Sequence, residues 1–181
     1  VQGEQIIWRG KPLFKSFVLK AIFNPLLVFA MIWASFDLGA MYFLLSDGFL
    51  FGEFKGIGIL ALSLFFLVHM TPVWIYLSGV VFCRLRYNHT EYIITETGIY
   101  VSEGLFSIKV KSSPFAEITQ LSISRGFWDN KFDSGDINMI RTRIINYQSV
   151  TPRKSSMTIN FSTIEDYQQV FGIIKAMKSD I

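Results

Sequence analysis

The sequence predicts a two-part membrane protein: two transmembrane helices followed by a soluble domain of about seven antiparallel strands and a C-terminal helix. Two observations carry this prediction. Residues 57–82 are a run of 26 without Asp, Glu, Lys or Arg, whereas residues 84–181 contain 22 charged residues and alternating apolar positions. We therefore divide the chain into a cytoplasmic N-terminal leader (residues 1–16), a helical hairpin (17–83) and a cytoplasmic β-domain (84–181).

The composition excludes several classes of protein. Of 181 residues, 51% are hydrophobic and 17% are charged, against about 25% charged in soluble domains. A single cysteine, Cys83, cannot form an internal disulfide or a multi-cysteine zinc site. The sequence has no G-x-S-x-G motif, no glycine-rich phosphate loop and no metal-ligand spacing. We therefore predict that the protein is not an enzyme, and we predict no cofactor or metal.

The first predicted span begins near Phe17 and ends before Asp37. A carboxylate at membrane depth costs at least about 2.5 kcal/mol without a partner, so Asp37 is expected at the far interface. In the alternative, the span covers Ala21–Leu45 and takes Asp37 inside. Lys20 lies at the near end, where its ammonium group can extend to the headgroups.

The second predicted span is the uncharged run from Ile57 to Phe82. At about 1.5 Å per residue it is roughly 39 Å long, more than the roughly 30 Å hydrocarbon core. Pro72 should kink it near His69. His69 and Thr71 form a possible intramembrane polar site, because ionisable groups in a span are usually functional. The alternative is a neutral His69 imidazole bonded to a carbonyl that Pro72 frees; a shifted Asp37 is the candidate charged partner.

The charges that flank the two spans predict the orientation. Basic residues precede the first span and follow the second, whereas the connection between them carries one lysine. By the positive-inside rule, both termini are expected in the cytoplasm of a multi-pass inner-membrane protein. The flanking basic residues are Arg9, Lys11, Lys15, Lys20, Arg84 and Arg86.

The β-domain is predicted from alternation that begins near Glu91. Phe106, Ile108 and Val110 alternate with lysines, so these apolar side chains are expected to face inward. After the last strand, apolar residues recur at helical spacing, which predicts an amphipathic helix that covers the sheet. The apolar positions of that helix are Ile164, Tyr167, Val170, Phe171, Ile174 and Met177.

Five features in a fixed order resemble the bacterial pleckstrin-homology-like (PH-like) membrane proteins. They are the leader GEQIIWRGKP, the two hydrophobic spans, RLRY, YIITETGIYVSEG and SPFAEI. The resemblance covers nearly the whole chain and implies two antiparallel sheets that are capped by a C-terminal helix. Soluble relatives in this family tend to form rings, so the resemblance also implies a tendency to assemble. The chain departs from the family pattern at Thr95–Gly98, where relatives often carry an arginine, and at Phe115, where leucine is commoner.

Basic residues are the possible contacts with anionic lipid or a partner. Each is worth about 1 kcal/mol near an anionic surface; the alternative is a solvated strand face. The hairpin at residues 95–98 is acidic, so the phosphoinositide site of eukaryotic PH domains is expected to be absent. Nucleic acid is not an expected partner, because the basic patch is short. The residues concerned are Arg84, Arg86, Arg141, Arg143, Arg153 and Lys154.

The predicted function is that of a non-enzymatic integral membrane protein whose cytoplasmic PH-like module mediates self-assembly or recruits a partner, such as another membrane protein. Two alternatives stay open: a subunit of a homo-oligomeric channel or transport component, and an anionic-lipid-sensing module. Homo-oligomers are expected because the membrane half is rich in aromatic residues and because open sheet edges need covering. A monomer whose aromatic residues face the lipid bilayer is the alternative.

Overall fold

The computed structural model describes residues 3–46, 55–145 and 153–179. It divides into two units, which we call the β unit (residues 1–20 and 83–181) and the helical unit (residues 21–82). The leader, which we had set apart from the β-domain, is therefore part of the β unit.

The described part of the β unit contains seven strands in two antiparallel sheets. Six of them lie after residue 84, where about seven were predicted, and the seventh comes from the leader. The first sheet has the order β1-β2-β3-β4 and the second the order β5-β6-β7. The strands are β1 (Ile6–Gly10), β2 (Glu91–Thr95), β3 (Gly98–Gly104), β4 (Ile108–Pro114), β5 (Ile118–Ser124), β6 (Gly135–Ile145) and β7 (Arg153–Ile164).

Strand β1 comes from the leader and pairs with β2. Its sequence, IIWRG, combines β-branched and aromatic residues, which favour strands. Trp8 packs against the core and stacks on Phe161, with 6.1 Å between ring centroids. The chain therefore leaves the sheet after β1, passes through the helical unit and returns as the neighbouring strand.

Seven α-helices are described. They are α1 (Phe14–Ile22), α2 (Pro25–Ser46), α3 (Lys55–His69), α4 (Thr71–Val81), α5 (Cys83–Asn88), α6 (Phe127–Phe132) and α7 (Tyr167–Ser179). The predicted C-terminal helix is α7, which buries Tyr167, Val170 and Ile174 in the core of the β unit. The capping-helix prediction is confirmed.

The prediction for the β4 face was wrong. Ile108 and Val110 are 60% and 63% exposed, and Phe106 is also exposed. Lys111 lies opposite Val101, a core residue, and directly opposed side chains share a face. The lysines therefore lie on the inner face. Alternation defines two faces but not which one is buried, and a shift of one residue exchanges them.

Gly104 fixes this register. It pairs with Ile108 across the β3–β4 turn, and a Cβ atom at position 104 would collide with the Ser107 carbonyl oxygen. Only glycine permits this close approach, so the turn sets which residues of β4 oppose β3.

Two transmembrane helices are not confirmed. Within the described residues, Phe14–Leu44 is long and apolar enough to cross a membrane. The second predicted span is broken: Gly56–His69 and Thr71–Val81 are bent by 55° and would count as a second span only if the two halves act together. The break lies at the predicted place, two residues before Pro72.

Candidate functional site

The break between α3 and α4 frees three carbonyl groups, and side chains bind all three. The indole nitrogen of Trp33 donates to the His69 carbonyl at 2.9 Å, and that of Trp74 donates to the Leu67 carbonyl at 3.1 Å. The Thr71 hydroxyl donates to the Val68 carbonyl, which Pro72 cannot bond because it lacks an N–H group. The Thr71 hydroxyl therefore supplies the hydrogen bond that the Val68 carbonyl would otherwise lack.

The imidazole of His69 contacts a carboxylate. Its Nδ1 lies 2.7 Å from Oδ1 of Asp37, whose side chain is 2% exposed. Asp37 lies within α2, which extends to Ser46. The apolar helix that could cross a membrane, Phe14–Leu44, includes Asp37. The first predicted span, which ended before Asp37, was therefore too short, and the alternative with Asp37 inside the span agrees with the structure. The imidazole contacts Asp37 and not the carbonyl that Pro72 frees, since that carbonyl, of Val68, accepts from the Thr71 hydroxyl.

Two aromatic rings stack on His69. The Trp33 and Phe65 ring centroids lie 4.9 Å and 5.1 Å from the imidazole centroid, with interplanar angles of 29° and 18°. Aromatic faces attract cations. The surroundings of His69 therefore combine one carboxylate with two rings that can stabilise a positive charge.

One oxygen of Asp37 is unsatisfied. Its Oδ2 is buried and has no hydrogen-bond partner among the described residues. A buried polar atom without a partner costs about 1–3 kcal/mol, so such atoms are rare unless they serve a purpose. The side chains of Asp37, His69 and Trp33, with this unsatisfied oxygen of Asp37, form the candidate site of the helical unit.

Two of the basic residues predicted as lipid or partner contacts, Arg141 and Arg143, form ion pairs within the β unit. Arg141 contacts Glu117 at 2.5 Å and donates to the Ser112 carbonyl at 2.8 Å, and Arg143 lies 3.3 Å from Glu117. Burial opposes ionisation of Glu117, but hydrogen bonds from both arginines lower its pKa overall. Arg153 and Lys154 begin β7, and their side chains lie outside the described residues.

A groove in the β unit gathers other basic residues. It has a volume of about 610 Å³ and is lined by Arg86, Lys109 and Lys111 together with polar groups of β7. Lys111 pairs with Glu103 on the neighbouring strand. The exposed Arg84 lies on α5, two residues before Arg86. The inverted phase of β4 is what turns the two lysines into this groove.

Lys20 does not extend to headgroups as expected. Its ammonium nitrogen lies 2.7 Å from Asp129 and 2.9 Å from Asp136. Asp129 is fully buried and also accepts bonds from Ser16, Ser134 and the Gly126 N–H. Burial opposes ionisation of Asp129, but these bonds, above all that from Lys20, lower its pKa. Lys20 therefore ties α1 to the loop around α6.

Sequence reasoning named Asp37 as the partner of His69 only for a shifted first span, and it missed Asp129 as the partner of Lys20. For Asp37 a signal existed: Asp37 and His69 are isolated ionisable residues in two neighbouring apolar runs, and isolated buried charges need partners. For Asp129 no local pattern pointed to Lys20, which is more than a hundred positions earlier. No group of three or more potential metal ligands occurs among the described residues.

Comparison with known proteins identifies a family. The family described as "Bacterial PH domain" matches residues 17–178. No curated protein and no solved structure matches the chain. The match begins after β1, so the strand contributed by the leader lies outside it.

Proposed function

We propose that this chain, which belongs to the bacterial PH domain family, works as a non-enzymatic docking module that is anchored in the inner membrane, where it assembles with itself or recruits a partner protein. The observation that carries the proposal is the insertion of the helical unit between two paired strands, β1 and β2.

The insertion ties the module to its anchor at two points. Ile94 and Arg9 lie on neighbouring strands, but the chain between them passes through the helical unit. The first sheet is complete only when β1, which precedes the helical unit in the chain, pairs with β2, which follows it. A module held in this way stays at one surface, which suits docking better than release and diffusion.

The outer face of β4 offers a surface for docking. Ile108 and Val110 are exposed on an edge strand, whose outer backbone groups are open to pairing. Exposed apolar patches on soluble domains commonly mark interaction sites. This surface supports self-assembly or partner recruitment through β4.

Crosslinking at position 108 tests the docking proposal. In a Cys83→Ser background, a photo-reactive side chain placed at position 108 of the full chain in cells should give a discrete adduct, either with itself or with one partner. The same group at the exposed Glu165 is the matched control. Equal labelling at both positions, or no adduct at 108, would refute docking through β4.

The anchor is tested separately. An impermeant thiol reagent applied to intact cells should label a cysteine at position 47 and not one at position 180. Release of the protein by alkaline washing of membranes would refute the anchor, whatever the crosslinking shows.

Anionic-lipid sensing is a second candidate, favoured by the groove. Arg86 and Lys109 are exposed and line it, and such cations attract anionic headgroups. Native mass spectrometry of the full chain should then show retained phosphatidylglycerol that is lost in Arg86→Gln/Lys109→Gln and kept in Lys175→Gln, an exposed control on α7. Equal retention of phosphatidylglycerol in all three proteins would exclude the groove as the lipid-binding site.

A further inference from the structure

We propose that Asp37 and His69 form a proton-binding site inside the helical unit, which takes up a proton on the free oxygen of Asp37 while the stacked rings hold the imidazolium. The inference goes beyond the docking function and stands if docking fails, because it concerns only contacts within residues 21–82.

Among the described residues of the helical unit, no other charged side chain accompanies the pair. Besides Asp37 and His69, the ionisable side chains described in this unit are Tyr42 on α2, which is exposed, and Tyr76 on α4, whose hydroxyl donates to the Ile22 carbonyl at 3.1 Å. Asp47, Glu53 and the side chain of Lys55 lie outside the described residues. Within the described part of the unit, each partner therefore has the other as its only charged neighbour.

One proton on the pair gives a net charge of zero. With His69 protonated and Asp37 ionised, the 2.7 Å contact joins opposite charges. Removing that proton leaves an uncompensated carboxylate that is 2% exposed, and an unpaired buried charge is costly. The proposed cycle therefore starts from the singly protonated pair.

The free oxygen provides the position for a second proton. Oδ2 of Asp37 accepts no hydrogen bond from the described residues, so its lone pairs are available to a proton while Oδ1 stays in contact with Nδ1. The carboxylate is then neutral and the imidazolium loses its counter-charge. The Trp33 and Phe65 rings face the imidazolium and stabilise it.

Each of these contacts is needed for a site that cycles between net charges of zero and plus one. A purely structural ion pair needs neither an orphaned carboxylate oxygen nor two aromatic rings on the imidazole. The helix break contributes as well, since the freed His69 carbonyl accepts from Trp33 and so holds that indole in place.

Nitrogen-15 NMR of histidine tests the proposal on the full chain in lipid bilayers. The sequence contains two histidines, so His69→Gln assigns the signals of His69 by their loss. Between about pH 4 and about pH 9, the His69 signals should change in a step. Asp37→Asn should alter that step, because it removes the carboxylate that contacts Nδ1, and Glu165→Gln, the same chemical change at an exposed site, should leave it in place.

Infrared spectroscopy of the unmutated chain keeps the test decisive if Asp37→Asn fails to fold. The difference spectrum between acidic and neutral pH should contain a carboxylic-acid carbonyl band that is altered in His69→Gln. Signals of His69 that are constant over the whole pH range, an unchanged step in Asp37→Asn, or the absence of that infrared band would each refute the site.

Discussion

The two units place apolar and charged side chains in opposite ways. In the β unit, a continuous core of buried apolar residues joins both sheets and α7. In the helical unit, the buried residues among those described are Ala30 and Asp37, while large apolar side chains cover its surface. Phe36 and Ile32, for example, are exposed on α2.

This difference follows from the solvent to which each unit is suited. Water favours apolar side chains inside, which the β unit shows. Its fully buried carboxylate among the described residues, Asp129, is compensated by Lys20. An apolar solvent removes the drive to bury apolar side chains and makes a charge expensive at the surface. A helical unit that exposes phenylalanine and buries aspartate is arranged for the second case, and this supports the proposed anchor.

The largest expected effect on stability comes from replacing a phenylalanine by alanine in the β unit, compared with the same replacement in the helical unit. Phe161 is fully buried and stacks on Tyr92 with 4.7 Å between centroids, so Phe161→Ala should cost about 3–5 kcal/mol of unfolding free energy. Phe36→Ala should leave the stability of the β unit unchanged. Denaturation of the full chain in detergent, followed by near-ultraviolet circular dichroism, measures both. Equal losses would contradict the comparison.

The next effect concerns the buried charge of the β unit. Asp129→Asn breaks the contact with Lys20 at 2.7 Å and should cost about 3 kcal/mol. The lowered pKa of Asp129 means that its contribution is present above the unfolded value of about 4 and is lost as the pH falls below it. Acid titration of stability should therefore be less steep in Asp129→Asn than in the parent. Identical acid curves would show that Asp129 is not ionised in the folded chain.

A smaller effect is expected at alkaline pH. Burial raises the pKa of Tyr92 to about 12, so the folded state keeps a proton that the unfolded state loses near pH 10. Stability should fall by roughly 2–3 kcal/mol as the pH rises from about 10 to about 12. Tyr92→Phe should lower stability at neutral pH, because the Ser162 N–H loses its acceptor at 3.0 Å, but should remove this alkaline loss. An unchanged alkaline curve in Tyr92→Phe would assign the loss to other groups.

Local patterns predicted much of the fold. Alternation and helical spacing gave the strands from Glu91 onward and α7, because both are properties of neighbouring residues. Strand β1 was not predicted, since its partner β2 lies on the far side of the helical unit and a single short strand carries little signal. Proline predicted the helix break for the same local reason, because it removes its own N–H donor.

The candidate site depended on contacts between distant residues. His69 and Thr71 were identified from their position in an apolar run, and Pro72 predicted a freed carbonyl. No spacing specifies that Trp33 and Asp37 on α2 contact His69. Asp37 was misplaced because its cost was weighed without a partner, and His69 supplies one at 2.7 Å. The face of β4 was misassigned because the turn at Gly104, and not the alternation, fixes its register.

The smallest effect is expected at Val110, and a matched valine makes it informative. Val101 and Val110 lie on neighbouring strands, but Val101 is 2% exposed on the inner face and Val110 is 63% exposed on the outer face. Val101→Ser removes buried apolar atoms and introduces a hydroxyl, and should cost about 2–4 kcal/mol. Val110→Ser should change the unfolding free energy by less than about 0.5 kcal/mol.

If position 110 docks a partner or a second copy, Val110→Ser should nevertheless weaken the crosslink formed from position 108. A large loss of stability in Val110→Ser would mean that the apolar face of β4 points inward after all, and would remove the basis of both the docking surface and the basic groove.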